Sequence, residues 1–403
     1  MAKGFLEPFK ESNMMMKEIG NMYFNILLAT SFFQNARKDD YGNIISCKMH
    51  DLAHDFALSI SKSETLIWEG QSLDNFSNVL HLFVQFDGHT TSGISFTGDC
   101  FTKLRTLVSK NIDLGDMLSN FKSLCVLKLS GHNTIELPNS VEHLIHLRLL
   151  HILRTKIEEL PESIIKLFNL QTLIIEECQG IKKLPEDLSN LINLRHINID
   201  HLIWLWYDDK SFKNMGRLTC LQTLPIFVVG RDEGYRIKEL GPLKNLRGEI
   251  GIYGLVYVKD EEEAKSAKLK EKEIFKLGLY WKYPRAVDNY DNDEKVLEGL
   301  QPHQNLKSLT IRWYGGRKFP SWVGSLLYHN LIEIYLIQCR ECKEVPTLGH
   351  LPSLRILEMG GMEKVRSIGS EFYDYSDGSY QNTTTLFPAL RTLKLQSMFS
   401  LEG

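Results

Sequence analysis

The fold class that this sequence predicts is α/β: a solenoid of short repeats bent into a horseshoe, preceded by a small unit of another kind. Three observations predict it. Leu124, Leu147, Leu170, Leu194 and Leu221 each open the same phrase, at intervals of 23, 23, 24 and 27 residues. In four of them the aliphatic positions are Leu124-Leu127-Leu129, Leu147-Leu150-Ile152, Leu170-Leu173-Ile175 and Leu194-Ile197-Ile199. An aliphatic followed by proline then trails the phrase at Leu137-Pro138, Leu160-Pro161 and Leu184-Pro185. A fixed period of this length marks a leucine-rich-repeat solenoid of about a dozen repeats. Such stacks offer an extended concave surface, which points to binding before catalysis.

The elements follow in chain order. Residues 1–62 do not fit the repeat. Ile19, Met22, Tyr23, Ile26 and Leu27 form a helical stripe. Ser31-Phe32-Phe33-Gln34 and Ile44-Ile45-Ser46-Cys47 flank a turn-like segment, Lys38 to Asn43, and read as a hairpin. His50 to Ser61 reads as a second helix with Leu52, Phe56, Ala57 and Ile60 on one side. Helix, hairpin and helix fit the remnant of a winged-helix unit. Residues 63–403 are the repeats. Their aliphatics alternate with variable residues, so the aliphatics point inward and the variable side chains outward along the sheet. Weaker phrases lie at Val79–Phe83 and Leu104–Leu107. Later ones lie at Leu246-Ile250-Ile252, Leu306-Leu309-Ile311, Leu331-Ile334-Leu336, Leu354-Leu357-Met359 and Leu390-Leu393-Leu395. Each Leu-Pro pair precedes a helical turn on the convex side, where the preset φ of proline suits a helix start. Two insertions break the period, near 255–280 and near 371–386. Within the first, Asp260 to Lys276 reads as a solvated helix with Glu261 and Lys265 four apart, and Phe275-Leu277-Leu279 as the next strand.

Composition narrows the function classes. The 403 residues are 43% hydrophobic and 24% charged, with a net charge of −3, so no basic field argues for nucleic acid. The seven cysteines are scattered and odd in number, which fits reduced thiols and a cytoplasmic location. Neither a signal peptide nor a membrane span is expected.

Several residue sets resemble one family. Ala2-Lys3-Gly4-Phe5-Leu6, Ile19-Gly20-Asn21-Met22-Tyr23-Phe24, Leu27-Leu28, Ser31-Phe32-Phe33-Gln34 and Cys47-Lys48-Met49-His50-Asp51-Leu52 occur in that order. They look like the end of the nucleotide-binding module of plant coiled-coil NB-LRR disease resistance proteins, which are intracellular immune receptors. Met49, His50 and Asp51 match that family's MHD motif, and the Leu-Pro repeats match its recognition domain. Val256 to Trp281 resembles an insertion in one subgroup. The resemblance implies plant defence and a protein partner: a pathogen effector, a guarded host protein, or the receptor's own nucleotide-binding module. It implies ADP or ATP only in an intact receptor, with His50 near the nucleotide. This chain has no Gly-x-x-x-x-Gly-Lys-Ser/Thr, so it reads as a fragment without a cofactor of its own.

His50 and His54 stand four apart on one helix face, as in zinc hydrolases. However, Asp51 stands where the base should be Glu, and no third ligand is evident, so no metal is expected and no catalytic residue is assigned. A metal hydrolase remains the alternative of another class; a scaffold for a host protein with no immune role is a third reading. Cys178 and Cys339 each fall eight residues after a phrase-opening leucine, where such repeats carry Asn or Cys to satisfy a turn. That explains Cys339 better than its Cys-x-x-Cys spacing with Cys342. Trp204, Trp206 and Tyr207 read equally as core or as interface anchors. The concave candidates are Lys128, His151, Ile174, Asn198, Thr310, Tyr335, Glu358 and Lys394, with Ser130, Leu153, Glu176, Asp200, Arg312 and Ile337 in an adjacent row.

Overall fold

The computed structural model describes residues 16–38, 44–61, 64–68, 78–85, 101–112, 114–182, 184–199, 213–282, 290–368, 372 and 386–400. Helix α1 (Met16–Ala29) leads into strands β1 (Phe33–Lys38) and β2 (Ile44–Met49), which pair antiparallel, and then helix α2 (Asp51–Ser61). The hairpin meets α1 through Phe33, whose ring centre lies 5.4 Å from that of Phe24. That contact covers only part of the expected stripe. Ile19 is buried, while Tyr23 and Ile26 are exposed. On α2 the expected apolar side is open: Leu52, Phe56 and Ile60 are exposed, and no residue of this helix is buried.

Among the described residues, fourteen parallel strands follow in two seven-stranded sheets, each in sequence order. The first holds β3 (Thr65–Trp68), β4 (His81–Gln85), β5 (Thr106–Lys110), β6 (Val126–Ser130), β7 (Leu149–Leu153), β8 (Thr172–Glu176) and β9 (His196–Ile199). The second holds β10 (Ile226–Val228), β11 (Arg247–Tyr253), β12 (Glu273–Tyr280), β13 (Ser308–Arg312), β14 (Glu333–Ile337), β15 (Ile356–Gly360) and β16 (Thr392–Gln396). Register is set by the repeat. Leu127, Leu150, Leu173 and Ile197 pair in one ladder, and Leu129, Ile152, Ile175 and Ile199 in the next. Both ladders are buried. A slip by one residue would turn every aliphatic outward, so the alternation fixes the pairing.

The convex side closes the core. Pro138 and Pro161 are extended and directly precede the turns Asn139–His143 and Glu162–Lys166. These turns are 3₁₀, a correction to the helical turns implied by the sequence only in their winding. Five residues lie between the proline and the next core leucine, too few for a stable α-helix but enough for a tighter turn. Leu137, Val141, Leu160 and Ile164 enter the core from this side. Asparagines staple neighbouring repeats: the Asn169 amide donates to the Ile145 carbonyl at 2.7 Å and that of Asn193 to Phe168 at 2.7 Å. Cys178 does the work expected of it, with its buried thiol 3.2 Å from the Glu176 carbonyl and 3.7 Å from that of Ile152. Cys339 sits likewise, 3.8 Å from the Ile337 carbonyl.

The reading of Asp260 to Lys276 needs correction. Only Glu261–Lys265 is α-helical (α3), capped by Asp260, whose carboxylate accepts from the Glu263 N–H at 2.8 Å. The expected Glu261–Lys265 ion pair forms at 2.9 Å. Ala264, Ala267 and Leu269 are buried, so the segment is an enlarged convex turn packed on the core, and its charges mark one face only. The strand phase also shifts at one point. Gly248 pairs Ile274 and Glu249 pairs Lys276, which leaves Phe275 as the extra residue of a bulge. Ile274, not Phe275, is therefore the buried residue. The 371–386 insertion lies outside the described residues except at Phe372 and Leu386, as do Trp204, Trp206 and Tyr207.

Lys272 is the buried cation of this turn, at 1% exposure, with Nζ 3.5 Å from the Gly241 carbonyl. Burial pushes its ammonium down from 10.5 to about 8. The folded state thus disfavours the charge: the penalty is complete below pH 8 and vanishes as pH rises through the unfolded value. Lys272→Met is expected to raise the unfolding temperature at pH 7 by about 2–4 °C, the scale of ~1 kcal/mol. It should also remove the stability gain between pH 8 and 10. Thermal unfolding at both pH values checks it.

Candidate functional site

The outward positions of the strands form rows because neighbouring strands pair residue for residue along the candidate positions, the bulge at Phe275 lying before them in β12. In the first sheet Lys128, His151, Ile174 and Asn198 lie side by side, next to Ser130, Leu153 and Glu176. In the second, Thr310, Tyr335, Glu358 and Lys394 form one row, and Arg312 and Ile337 stand in the next. Every one of these side chains is half-buried or exposed, while the residues between them are core in all strands but β16. Asp200 lies outside the described residues. The two sheets carry their candidates separately, each within its own ladder.

The first row holds a small polar network. Glu176 Oε2 lies 3.1 Å from His151 Nε2, and Glu176 Oε1 accepts from the Asn198 amide at 3.1 Å. Burial and the nearby Lys128 ammonium hold the His151 imidazole below its ordinary range, and the Glu176 carboxylate opposes them. His151 is thus a neutral hydrogen-bonding group at neutral pH. Ile174 offers an apolar step between it and Asn198. In the second sheet Lys394 and Glu358 lie 3.5 Å apart.

Sequence reasoning passed over four residues here. Gly251 and Gly278 occupy the outward row, in register with each other and with Thr310. A Cβ on Gly278 would lie 2.4 Å from the Tyr280 ring, and one on Gly251 would lie 2.9 Å from that of Tyr253. The two tyrosines fold back over these glycines and stack, with ring centres 4.2 Å apart and planes 2° apart. Burial, reinforced by Tyr280, pushes the Tyr253 hydroxyl far above its ordinary range. Beside the rings lies a recess of about 210 Å³, lined also by Pro225, Glu249, Lys276 and Thr310. A signal was present in the sequence: Ile250-Gly251-Ile252 and Leu277-Gly278-Leu279 each place glycine between core residues of a strand.

The MHD-like residues lie apart in the chain, at the start of α2. His50 caps this helix: its Nδ1 accepts from the Leu52 N–H at 3.2 Å. Asp51 is the first helical residue. His54 Nδ1 lies 3.6 Å from Asp55 Oδ1. With one imidazole nitrogen committed to the cap, the His50/His54 pair is poorly set for a metal. Among the described residues no three His, Cys, Asp or Glu side chains converge. Among them, too, no helix is long and apolar enough to cross a membrane.

Residues 1–57 match the family model described as the disease resistance protein winged helix domain, and residues 237–362 match that of R13L1/DRL21 leucine-rich repeats. Disease resistance protein RGA2 of Solanum bulbocastanum is 34% identical, over 100% of this chain and 39% of that protein. Disease resistance RPP13-like protein 4 of Arabidopsis thaliana is 26% identical, over 76% of this chain and 36% of that protein. The chain spans between 28% and 39% of the length of the first curated relatives it matches. Among solved structures, a leucine-rich-repeat protein of Leptospira interrogans aligns with a TM-score of 0.41 and 18% identity, over 75% of this chain and 78% of that one.

Proposed function

This chain belongs to the plant disease resistance proteins, and on that premise we propose that it is the recognition part of a cytoplasmic immune receptor. Its repeats bind a protein: a pathogen effector, or a host protein altered by one. In an intact receptor they also restrain the nucleotide-binding module, and recognition relieves that restraint so that ADP gives way to ATP. The observation that carries this reading is the contrast within each strand. Core positions repeat because they must stack; the outward rows vary in charge, polarity and size, as a recognition surface requires. An exchange of repeats tests it. Residues 101–400 of this chain, placed at the matching repeats of the RGA2 relative, are expected to change what triggers that receptor. Unchanged specificity in a stably expressed chimera overturns the reading.

The chain itself performs no catalysis and holds no cofactor. A phosphate cradle of backbone N–H groups and a lysine supplies most of the affinity for a nucleotide, and the sequence has no such motif. Residues 1–403 are expected to bind neither ADP nor ATP at micromolar concentration; calorimetry that detects such binding overturns this. In an intact receptor Met49, His50 and Asp51 then serve the nucleotide switch, with His50→Arg expected to promote signalling.

A further inference from the structure

We infer that the recess beside Tyr253 and Tyr280 receives one aromatic side chain of an extended partner segment, and that Arg312 takes a carboxylate two residues away on that segment. The inference rests on the recognition reading above and deepens it to a ligand chemistry. Three observations carry it. The recess holds about 210 Å³, the size of a single ring-bearing side chain. One wall is the stacked pair of tyrosine rings, so an incoming ring meets a ring.

The second observation is charge. Glu249 and Lys276 at the rim lie 3.7 Å apart and offset each other. Arg312 has no such partner. It pairs in register with Tyr280, its guanidinium carbon sits 5.5 Å from the Trp313 ring centre, and among the described residues it forms no ion pair. Its Nε is buried without a hydrogen-bond acceptor. A buried donor left unmet is costly, and a guanidinium on an aromatic platform is well placed to grip a carboxylate.

The third observation is spacing. Thr310 borders the recess, and Arg312 follows it by two residues on the same strand. Residues i and i+2 of an extended segment face the same way, about 7 Å apart. A partner strand lying along β13 would therefore present a ring to the recess and a carboxylate to Arg312 together.

The test uses the whole chain and short synthetic peptides blocked at both ends. One carries tryptophan with aspartate two positions away. Two controls replace the aspartate by asparagine or the tryptophan by alanine. Calorimetry and ligand-observed NMR are expected to show the first binding at least tenfold more tightly than either control. Arg312→Gln should erase the preference for aspartate over asparagine, and Thr310→Trp, which fills the recess, should abolish binding. Lys166→Gln, an exposed cation on the convex side, should change nothing. No binding at millimolar peptide, equal binding of the three peptides, or an aspartate preference that survives Arg312→Gln overturns the inference. The aspartate comparison stands even if Thr310→Trp unfolds. Failure here, with concave substitutions still abolishing receptor response, sinks the recess alone and leaves the recognition reading intact.

Discussion

Leu173→Ala is expected to destabilise the solenoid by about 2–5 kcal/mol, the cost of deleting a fully buried leucine and leaving a partial cavity. Leu173 is completely buried and pairs in register with Leu150 on one side and Ile197 on the other. Its loss opens both contacts, and a repeat touches only its neighbours, so no distant part of the fold can compensate. Denaturation should lose its single transition, with the repeats around β8 opening first. Asn198→Ala, on the outward row of the adjoining strand, should cost far less, since Asn198 is exposed and gives up one hydrogen bond to Glu176. Chemical denaturation of both variants checks this. Equal losses would mean that the strand phase assigned to these repeats is wrong.

Most of the solenoid was legible because its signal is redundant. Each phrase in the 124–221 region specifies its strand, its phase and its neighbour at once, and the Leu-Pro pairs mark the return. Legibility fell where packing, not pattern, decides. The charged stretch after Asp260 hides Ala264, Ala267 and Leu269, three small or aliphatic residues that turn inward between solvated ones. The bulge at Phe275 shifts phase by one residue, which no alternation can announce. On α2 the pattern gave the helix correctly. It could not say whether the apolar side is covered, and among the described residues Leu52, Phe56 and Ile60 are not. The candidate surface was legible as alternation, since Lys128, His151, Tyr335 and their neighbours do face outward. The recess was not, because it depends on how two tyrosines lie across two glycines, and ring orientation is set by tertiary contacts.

The largest effect on function is expected from the concave face of the second sheet. Tyr335 and Arg312 are half-buried there, on neighbouring strands. Tyr and Arg in such settings dominate interfaces, and truncation of one commonly costs 2 kcal/mol or more, about thirtyfold in affinity. On the convex side Lys166 is exposed and pairs with Glu142 at 2.6 Å, a surface ion pair worth little, and Glu186 is exposed as well. The decisive measurement is the triggered cell-death response of an intact receptor that carries this chain, compared between Arg312→Ala with Tyr335→Ala and Lys166→Ala with Glu186→Ala, at matched protein levels. Recognition on the concave face requires that the first pair abolish the response and the second leave it intact. Loss with the convex pair alone, all variants being folded, would contradict it.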